Sequence, residues 1–279
     1  MEESNSLIDR SRKNIEIAGP KHDIIKQAVS LLKEKGNSNI FLTEGIWAHE
    51  KIYCNNLRIK AFIVCEEYIF SDEARELLAK ILNAAEKVYV VSTKVFEKVT
   101  QLDGPDGFVS ICEFPQYNLD DIELRDSNLI VVLDGLETPG NVGTICRTSD
   151  GADVDGIIVC NRKARITHSK TIKAAMGACF NKKLIDTDFH TLANWLKEHN
   201  FRIMLTDTRA TDSYNNVDYS GRVAIVAGNE RYGITREWYN LETELISIPM
   251  LGKCDSLNVA VSTSIILYEA SMQQKGLRK

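Results

Sequence analysis

The side chains best suited to chemistry fall in three segments, each following an apolar run. The first is DGLETPGNVGTICRTSDGA, which carries Asn141, Gly143 and Arg147. Pro139-Gly140 forces a turn, and Asn141 has the side chain of a helix N-cap. On the helix that follows, Val142, Ile145, Cys146 and Ser149 share one face. Arg147 lies on the other, one turn beyond Gly143, whose missing side chain would leave the guanidinium unobstructed. A guanidinium near a helix start suits a phosphate or a polar substrate group. Read alone, the segment fits better an exposed arginine on an amphipathic helix with an ordinary capped turn.

The second segment, VAIVAGNERYGITREW, places Gly228, Asn229 and Glu230 at a strand end, where glycine admits close approach to the backbone. A plain strand-to-helix turn capped by Thr235 fits the same residues. The third, ISIPMLGKCDSLNVAVSTSIILYEA, breaks a strand at Pro249 and Gly252 and sets Ser256 at a helix start. Its helix, Leu257 to Leu267, is apolar or small on all sides and is therefore expected to be buried. Asn258 is the polar exception, and a buried amide needs partners.

The elements that must position these segments are legible from patterning. Residues 129–133, 156–160, 202–206, 223–227 and 245–250 are apolar almost throughout, as in strands covered on both faces, which implies a parallel α/β sheet. Helical segments intervene at 142–151, 168–178 and 188–199. Ligands of such sheets gather at the carboxyl ends of the strands, where all three segments lie. Ahead of this, residues 1–114 alternate short strands (NIFLTEG, IKAFIVC, VYVVS, GFVSICEF) with helices such as DEARELLAKILNAAEK. Residues 115–128 are polar and acidic and read as a linker.

The chain has 279 residues, enough for two domains, and a net charge of −5. The charge is uneven: residues 1–126 hold 16 Lys+Arg against 22 Asp+Glu, and 127–279 hold 18 against 17. Arg162, Lys163, Arg165, Lys170, Lys173, Lys182 and Lys183 form a run without an intervening acid, which can engage phosphates through counterion release and equally fits a solvated face. The seven cysteines are scattered without a C-x-x-C pair and the five histidines lack ligand spacing, so buried reduced thiols and no metal are expected. No run is long and apolar enough for a membrane span, and MEESNSLIDR lacks the features of a secretory leader, so a cytoplasmic location is expected.

Taken together, N-x-G-x-x-x-R (Asn141, Gly143, Arg147), G-N-E (Gly228, Asn229, Glu230), and I-P-M with S-L-N-V (Ile248 to Met250, Ser256 to Val259) resemble the SPOUT superfamily. The likeness is to its SpoU/TrmH branch of RNA ribose 2′-O-methyltransferases, and it covers residues 128 to about 271. More loosely, F-L-T-E-G at Phe41 to Gly45 is similar to an element of the small L30e-like α/β domain often found ahead of that catalytic domain.

The resemblance implies a parallel sheet with a deep trefoil knot, S-adenosylmethionine as methyl donor, and a homodimer whose active site is completed across the interface. It places the donor against Thr206, Gly228, Ile248, Met250 and Leu257. It assigns Arg147 to the ribose hydroxyl, with Asn141, Ser256 and Asn258 orienting and Glu230 supporting. RNA contacts are expected at Arg162, Lys163, Arg165, Lys170 and Lys173. Large-subunit ribosomal RNA is the expected substrate; transfer RNA and a non-catalytic RNA-binding role on the same fold are the alternatives. The chain departs from the family pattern in reading K-A-A-M-G-A from Lys173 where R-A-S-x-G-A is common, and in carrying Arg231 where glycine is usual. A dehydrogenase is disfavoured, since neither G-x-G-x-x-G nor a P-loop occurs.

Overall fold

A computed structural model describes residues 7–33 and 39–278. The first six residues of the acidic opening segment lie outside them. The chain forms two compact units, one reaching to Pro115 and including Thr167–Ser169, the other comprising Gln116–Ile166 and the chain from Lys170 onward.

The first unit runs β1 (Ile15–Ile17), α1 (Asp23–Leu32), β2 (Ile40–Glu44), α2 (Ile46–Cys54), β3 (Ile59–Val64), α3 (Asp72–Ala84), β4 (Val88–Val90), α4 (Thr93–Phe96) and β5 (Phe108–Glu113). Its sheet is mixed, in the order β1-β4-β3-β5-β2. Ile63, Val109 and Ile111 pack from one face against Ile25, Ala28 and Phe96. Helix α3 shows why its segment is a helix: Ser71 accepts from the Ala74 N–H, Asp72 and Glu73 occupy the positive end, and Leu77, Leu78 and Ile81 line the buried stripe. In F-L-T-E-G, Glu44 accepts from the Thr100 hydroxyl at 2.8 Å and the Gln101 N–H at 2.7 Å. Gly45 adopts φ +95°, which a side chain would strain.

The second unit continues with β6 (Asn128–Asp134), α5 (Pro139–Gly151), β7 (Gly156–Cys160), α6 (Ser169–Ala175), α7 (Ala178–Asn181), β8 (Leu184–Thr187), α8 (Phe189–Glu198), β9 (Arg202–Thr206), β10 (Asp212–Ser213), β11 (Arg222–Gly228), β12 (Glu244–Ser247) and α9 (Val259–Gln274). Its sheet has the order β10-β12-β9-β11-β6-β7-β8, and every neighbouring pair is parallel. Strand β6 is buried along its whole length, the signature of a strand covered on both faces. Register aligns Asp134 with Gly228 and Thr206 with Ile246, so β6, β11, β9 and β12 end together.

Several expectations need correction. Residues 116–128, expected as a linker, pack with the second unit: Leu119 and Ile122 are buried in its core, at about 1.5–3 kcal/mol each. Periodicity could not show this, because two apolar residues in an acidic stretch carry no pattern. Helix α5 starts at Pro139 with Thr138 as N-cap, since proline at the first helical position loses no hydrogen bond. Asn141 is thereby placed inside the first turn with its side chain released for other bonds. Helix α9 is not buried all round: Val261 and Tyr268 are each 48% exposed, and Met272 is exposed beside them. Cys54 and Cys254 are exposed, whereas the other five thiols are buried. Burial pushes the Cys146 and Cys160 thiols up to about 12, which keeps them protonated and inert.

Candidate active site

Four loops meet at the carboxyl ends of β6, β9, β11 and β12, at the crevice where open α/β sheets bind ligands. The chain after β9, β11 and β12 forms a cleft of about 950 Å³ lined by Thr206–Arg209, Gly228–Ile234, Arg236, Tyr239, Asn240, Ser256–Val259 and Ser262. A recess of about 70 Å³ adjoins it through Thr206, Ser256, Leu257 and Ser262, with Ile246, Ile248, Met250 and Ile266 as its apolar wall. The five residues expected to hold the donor are thus divided between two adjoining spaces: Gly228 borders the polar cleft, Ile248 and Met250 the apolar recess, and Thr206 and Leu257 both.

The loops are tied together by carboxylates and amides. Glu230 accepts from the N–H groups of Glu137 and Thr138, both at 3.0 Å, and from the Asn141 amide at 2.9 Å. Burial alone would raise its pKa, but these donors outweigh it and bring the carboxyl down to about 2. Asn258 donates to Asn141 Oδ1 at 3.2 Å, while its own Oδ1 caps α9 by accepting from Ala260 at 2.9 Å. Asp134, fully buried at the end of β6, accepts from Asn161 Nδ2 and the Thr235 N–H, each at 2.7 Å. These bonds pin the strand ends of the crevice to neighbouring loops.

Two glycines act through packing. A Cβ on Gly228 would lie 2.4 Å from Gly233 C and Ile234 N, so only glycine lets the 229–234 loop fold back over the strand end. Gly143 is expected from the sequence to clear space for Arg147. A Cβ there would instead lie 2.4 Å from Thr171 O and 2.8 Å from Ala174 Cβ, so the glycine seats α5 against α6.

Arg147 is exposed and does not line the cleft of its own chain. It stands on α5 about 9 Å along the axis from Asn141, without a hydrogen bond or ion pair among the described residues. The basic run is only partly available. Arg162 pairs with Asp186 at 2.8 Å, and Lys182 pairs with Asp153 at 2.7 Å. Lys183 is occupied by the Asp121 carbonyl. Lys163, Lys170 and Lys173 are exposed, and Arg165 is half-buried. None of the five expected RNA contacts borders the cleft.

Sequence reasoning passed over Asp207, Arg209 and Tyr239. Asp207 accepts from the Arg209 guanidinium at 2.8 Å and the Tyr239 hydroxyl at 2.7 Å, and the Arg209 guanidinium holds its carboxyl well below the usual range. The signal was the T-D-T-R string directly after an apolar strand. Among the described residues no group of three His, Cys, Asp or Glu is gathered for a metal, and no helix is long and apolar enough to cross a membrane.

Comparison with known proteins places this geometry. A profile described as the MRM3-like substrate binding domain matches residues 22–110. The chain is 25% identical over 236 residues to the 23S rRNA (guanosine(2553)-2′-O)-methyltransferase of Bacillus subtilis, covering 85% of this chain and 90% of that one. It is 28% identical over 207 residues to the 23S rRNA (uridine(2479)-2′-O)-methyltransferase of Streptomyces viridochromogenes, covering 72% and 71%. The AdoMet-bound rRNA methyltransferase from Sinorhizobium meliloti superposes with a TM-score of 0.83 at 27% identity, over 92% of this chain and 97% of that one. The segment from β6 to α9 that builds the cleft, residues 128–268, matches the profile of the SpoU rRNA methylases, and the chain belongs to that family.

Proposed function

We propose that this protein methylates a ribose 2′-hydroxyl of large-subunit ribosomal RNA with S-adenosylmethionine as donor. The observation that carries the reading is the pair of adjoining spaces bordered by Thr206, Gly228, Ile248, Met250 and Leu257, beside the hydrogen-bonded Glu230–Asn141–Asn258 chain. Its residues fit the donor: an apolar recess for flat or thioether-like surface, and polar loops with backbone groups for ribose and amino-acid ends. When bound, the donor supplies an electrophilic methyl on a sulfonium.

The protein's task is to present the hydroxyl in line and to favour negative charge on its oxygen. Arg147 has the chemistry for this as a stabiliser and positioner. A guanidinium holds its proton too firmly to serve as a base. Glu230 is no base either: its pKa of about 2 leaves the carboxylate ionised and engaged by three donors. It fixes the loop that carries Asn141, and Asn141, Ser256 and Asn258 orient the sugar and the guanidinium.

Arg147 reaches a cleft in this reading as part of a homodimer, with one subunit's Arg147 facing the other's cleft. Support comes from the exposed Val261, Tyr268 and Met272 of α9, with half-buried Ile265 between them at helical spacing, on the helix that packs against α5, whose Arg147 has no partner among the described residues. The return of α9 from β12 to pack on α5, where Thr148 and Ser264 meet at 2.7 Å, agrees with the family's trefoil knot. Residues 1–114 serve as the RNA-recognition domain and 129–279 as the catalytic domain, with the cytoplasm as the place of action.

The test incubates the protein with methyl-tritiated donor and a 23S rRNA transcript, then hydrolyses the RNA in alkali. Label in an alkali-resistant dinucleotide is expected, because a 2′-O-methyl group blocks cleavage. Label confined to bases, or none at all, overturns the reading.

A further inference from the structure

We propose that Arg231, Tyr232 and Arg236 form a nucleotide subsite on the rim of the cleft, which holds a residue of the RNA adjoining the methylated one. The inference rests on the RNA-methyltransferase reading and adds to it a determinant of substrate choice.

Tyr232 lines the cleft and is 72% exposed. The Arg231 guanidinium lies over its ring, 5.3 Å from the centroid, and most of the tyrosine's surface is still exposed. The pair is held in place before any ligand arrives. Asn229 Oδ1 accepts from the N–H groups of both Arg231 and Tyr232 at 2.9 Å, and Asn229 and Gly233 exchange backbone bonds at 2.9 Å. The Asn229 amide also donates to Gly135 O at 2.7 Å, which anchors the loop to the end of β6. A platform ordered beforehand loses little entropy on binding.

Charge selects the ligand. Both acids of the lining are engaged: Glu230 by three N–H donors, Asp207 by Arg209 and Tyr239. Arg231 and Arg236 have no ion-pair partner among the described residues, so the rim offers two guanidiniums to an anion. An exposed aromatic ring with one guanidinium on it and a second lining the same cleft fits a nucleotide, with its base on Tyr232 and its phosphates on the arginines. The cleft volume of about 950 Å³ is at the upper end of single-ligand pockets, roughly 300–1,000 Å³, which leaves space beside one donor molecule.

The experiment measures equilibrium binding of a 23S rRNA transcript by filter retention, and donor binding by calorimetry, for the parent and for Tyr232→Leu, Tyr232→Phe and the Arg231→Ala/Arg236→Ala double variant. Tyr232→Leu should weaken RNA binding roughly ten-fold, Tyr232→Phe less than two-fold, and both should keep the parent's donor affinity. The double variant should lower the slope of log K against log salt by about 0.7 for each phosphate it no longer neutralises. RNA binding unchanged in Tyr232→Leu overturns the subsite, and so does an equal weakening in Tyr232→Phe. A parallel fall in donor affinity overturns it too, because Tyr232 would then serve the donor. Failure of the parent to methylate a transcript that it binds refutes the enzymatic reading alone, while the binding series still decides the subsite.

Discussion

Asn258 and Asn141 are 117 residues apart in sequence, yet their side-chain amides meet at 3.2 Å. The bond joins the N-cap of α9 to the first turn of α5, and Glu230 grips Asn141 from the other side at 2.9 Å. Three motifs thereby become one rigid object.

Asn258 has two roles that substitutions can separate. Asn258→Ala removes the cap and the tie, and should cost about 1 kcal/mol, or a fall in melting temperature of roughly 2–4 °C. Asn258→Asp keeps the capping oxygen but loses the donor to Asn141. It should melt within about 1 °C of the parent and still methylate poorly. Thermal melts paired with methyl-transfer rates check this, and full activity in Asn258→Asp would remove the tie from the mechanism.

The Glu230 carboxyl is held at about 2 against its ordinary 4.5. A depressed folded-state pKa contributes stability above the unfolded value, and this contribution is lost as pH falls from about 4.5 to about 2. Glu230→Gln cannot accept all three bonds, so it should be less stable at neutral pH and show a flatter decline through that window. Urea unfolding at a series of acidic pH values measures both. The residual slope should come from groups such as Asp153, which Lys182 and Lys275 likewise hold at about 2.

Arg147→Ala should lower methyl transfer about 100-fold or more while leaving donor affinity and melting temperature near the parent's, because the side chain is exposed and unpartnered among the described residues. Mixing Arg147→Ala chains with cleft-blocked Leu257→Glu chains, by denaturation and joint refolding, should restore part of the activity. Each mixed dimer would hold one intact cleft facing one intact arginine. No recovery in mixtures shown to contain the mixed dimer would place Arg147 and the cleft on the same chain.

Val261→Lys sets a charge in the exposed apolar stripe of α9, where Val261 is 48% exposed. In solution the parent should have twice the mass of the chain by light scattering, and the variant should shift toward the single-chain mass. A parent of single-chain mass would refute the dimer.

The two glycines at the start of α5 should respond oppositely to alanine. Gly140→Ala meets nothing within 4 Å and should stabilise by about 0.5–1 kcal/mol, as alanine does inside helices. Gly143→Ala drives a Cβ into Thr171 O at 2.4 Å and should destabilise by about 1–3 kcal/mol. Chemical denaturation of the two variants measures the difference in sign.

The sequence by itself determined the class of the fold and the motifs of the site. Uninterrupted apolar runs at β6, β7, β9 and β11 read as strands buried on both faces, and turn residues at Pro139, Gly228 and Pro249 mark where loops must leave the sheet. Short or polar elements escaped it. Strands β1, β8 and β10 are too brief to show a period, and the burial of Leu119 and Ile122 depends on a core assembled from distant chain. What only the tertiary structure decided is partnership: that Glu230 is an anchor and not a base, that Gly143 serves helix packing, that Arg162 is neutralised by Asp186, and that Arg147 stands outside its own cleft. The physical reason is that burial patterns act between neighbours in sequence and so leave a trace in spacing. A carboxylate's pKa or an arginine's reach is set by groups the fold brings from tens of residues away.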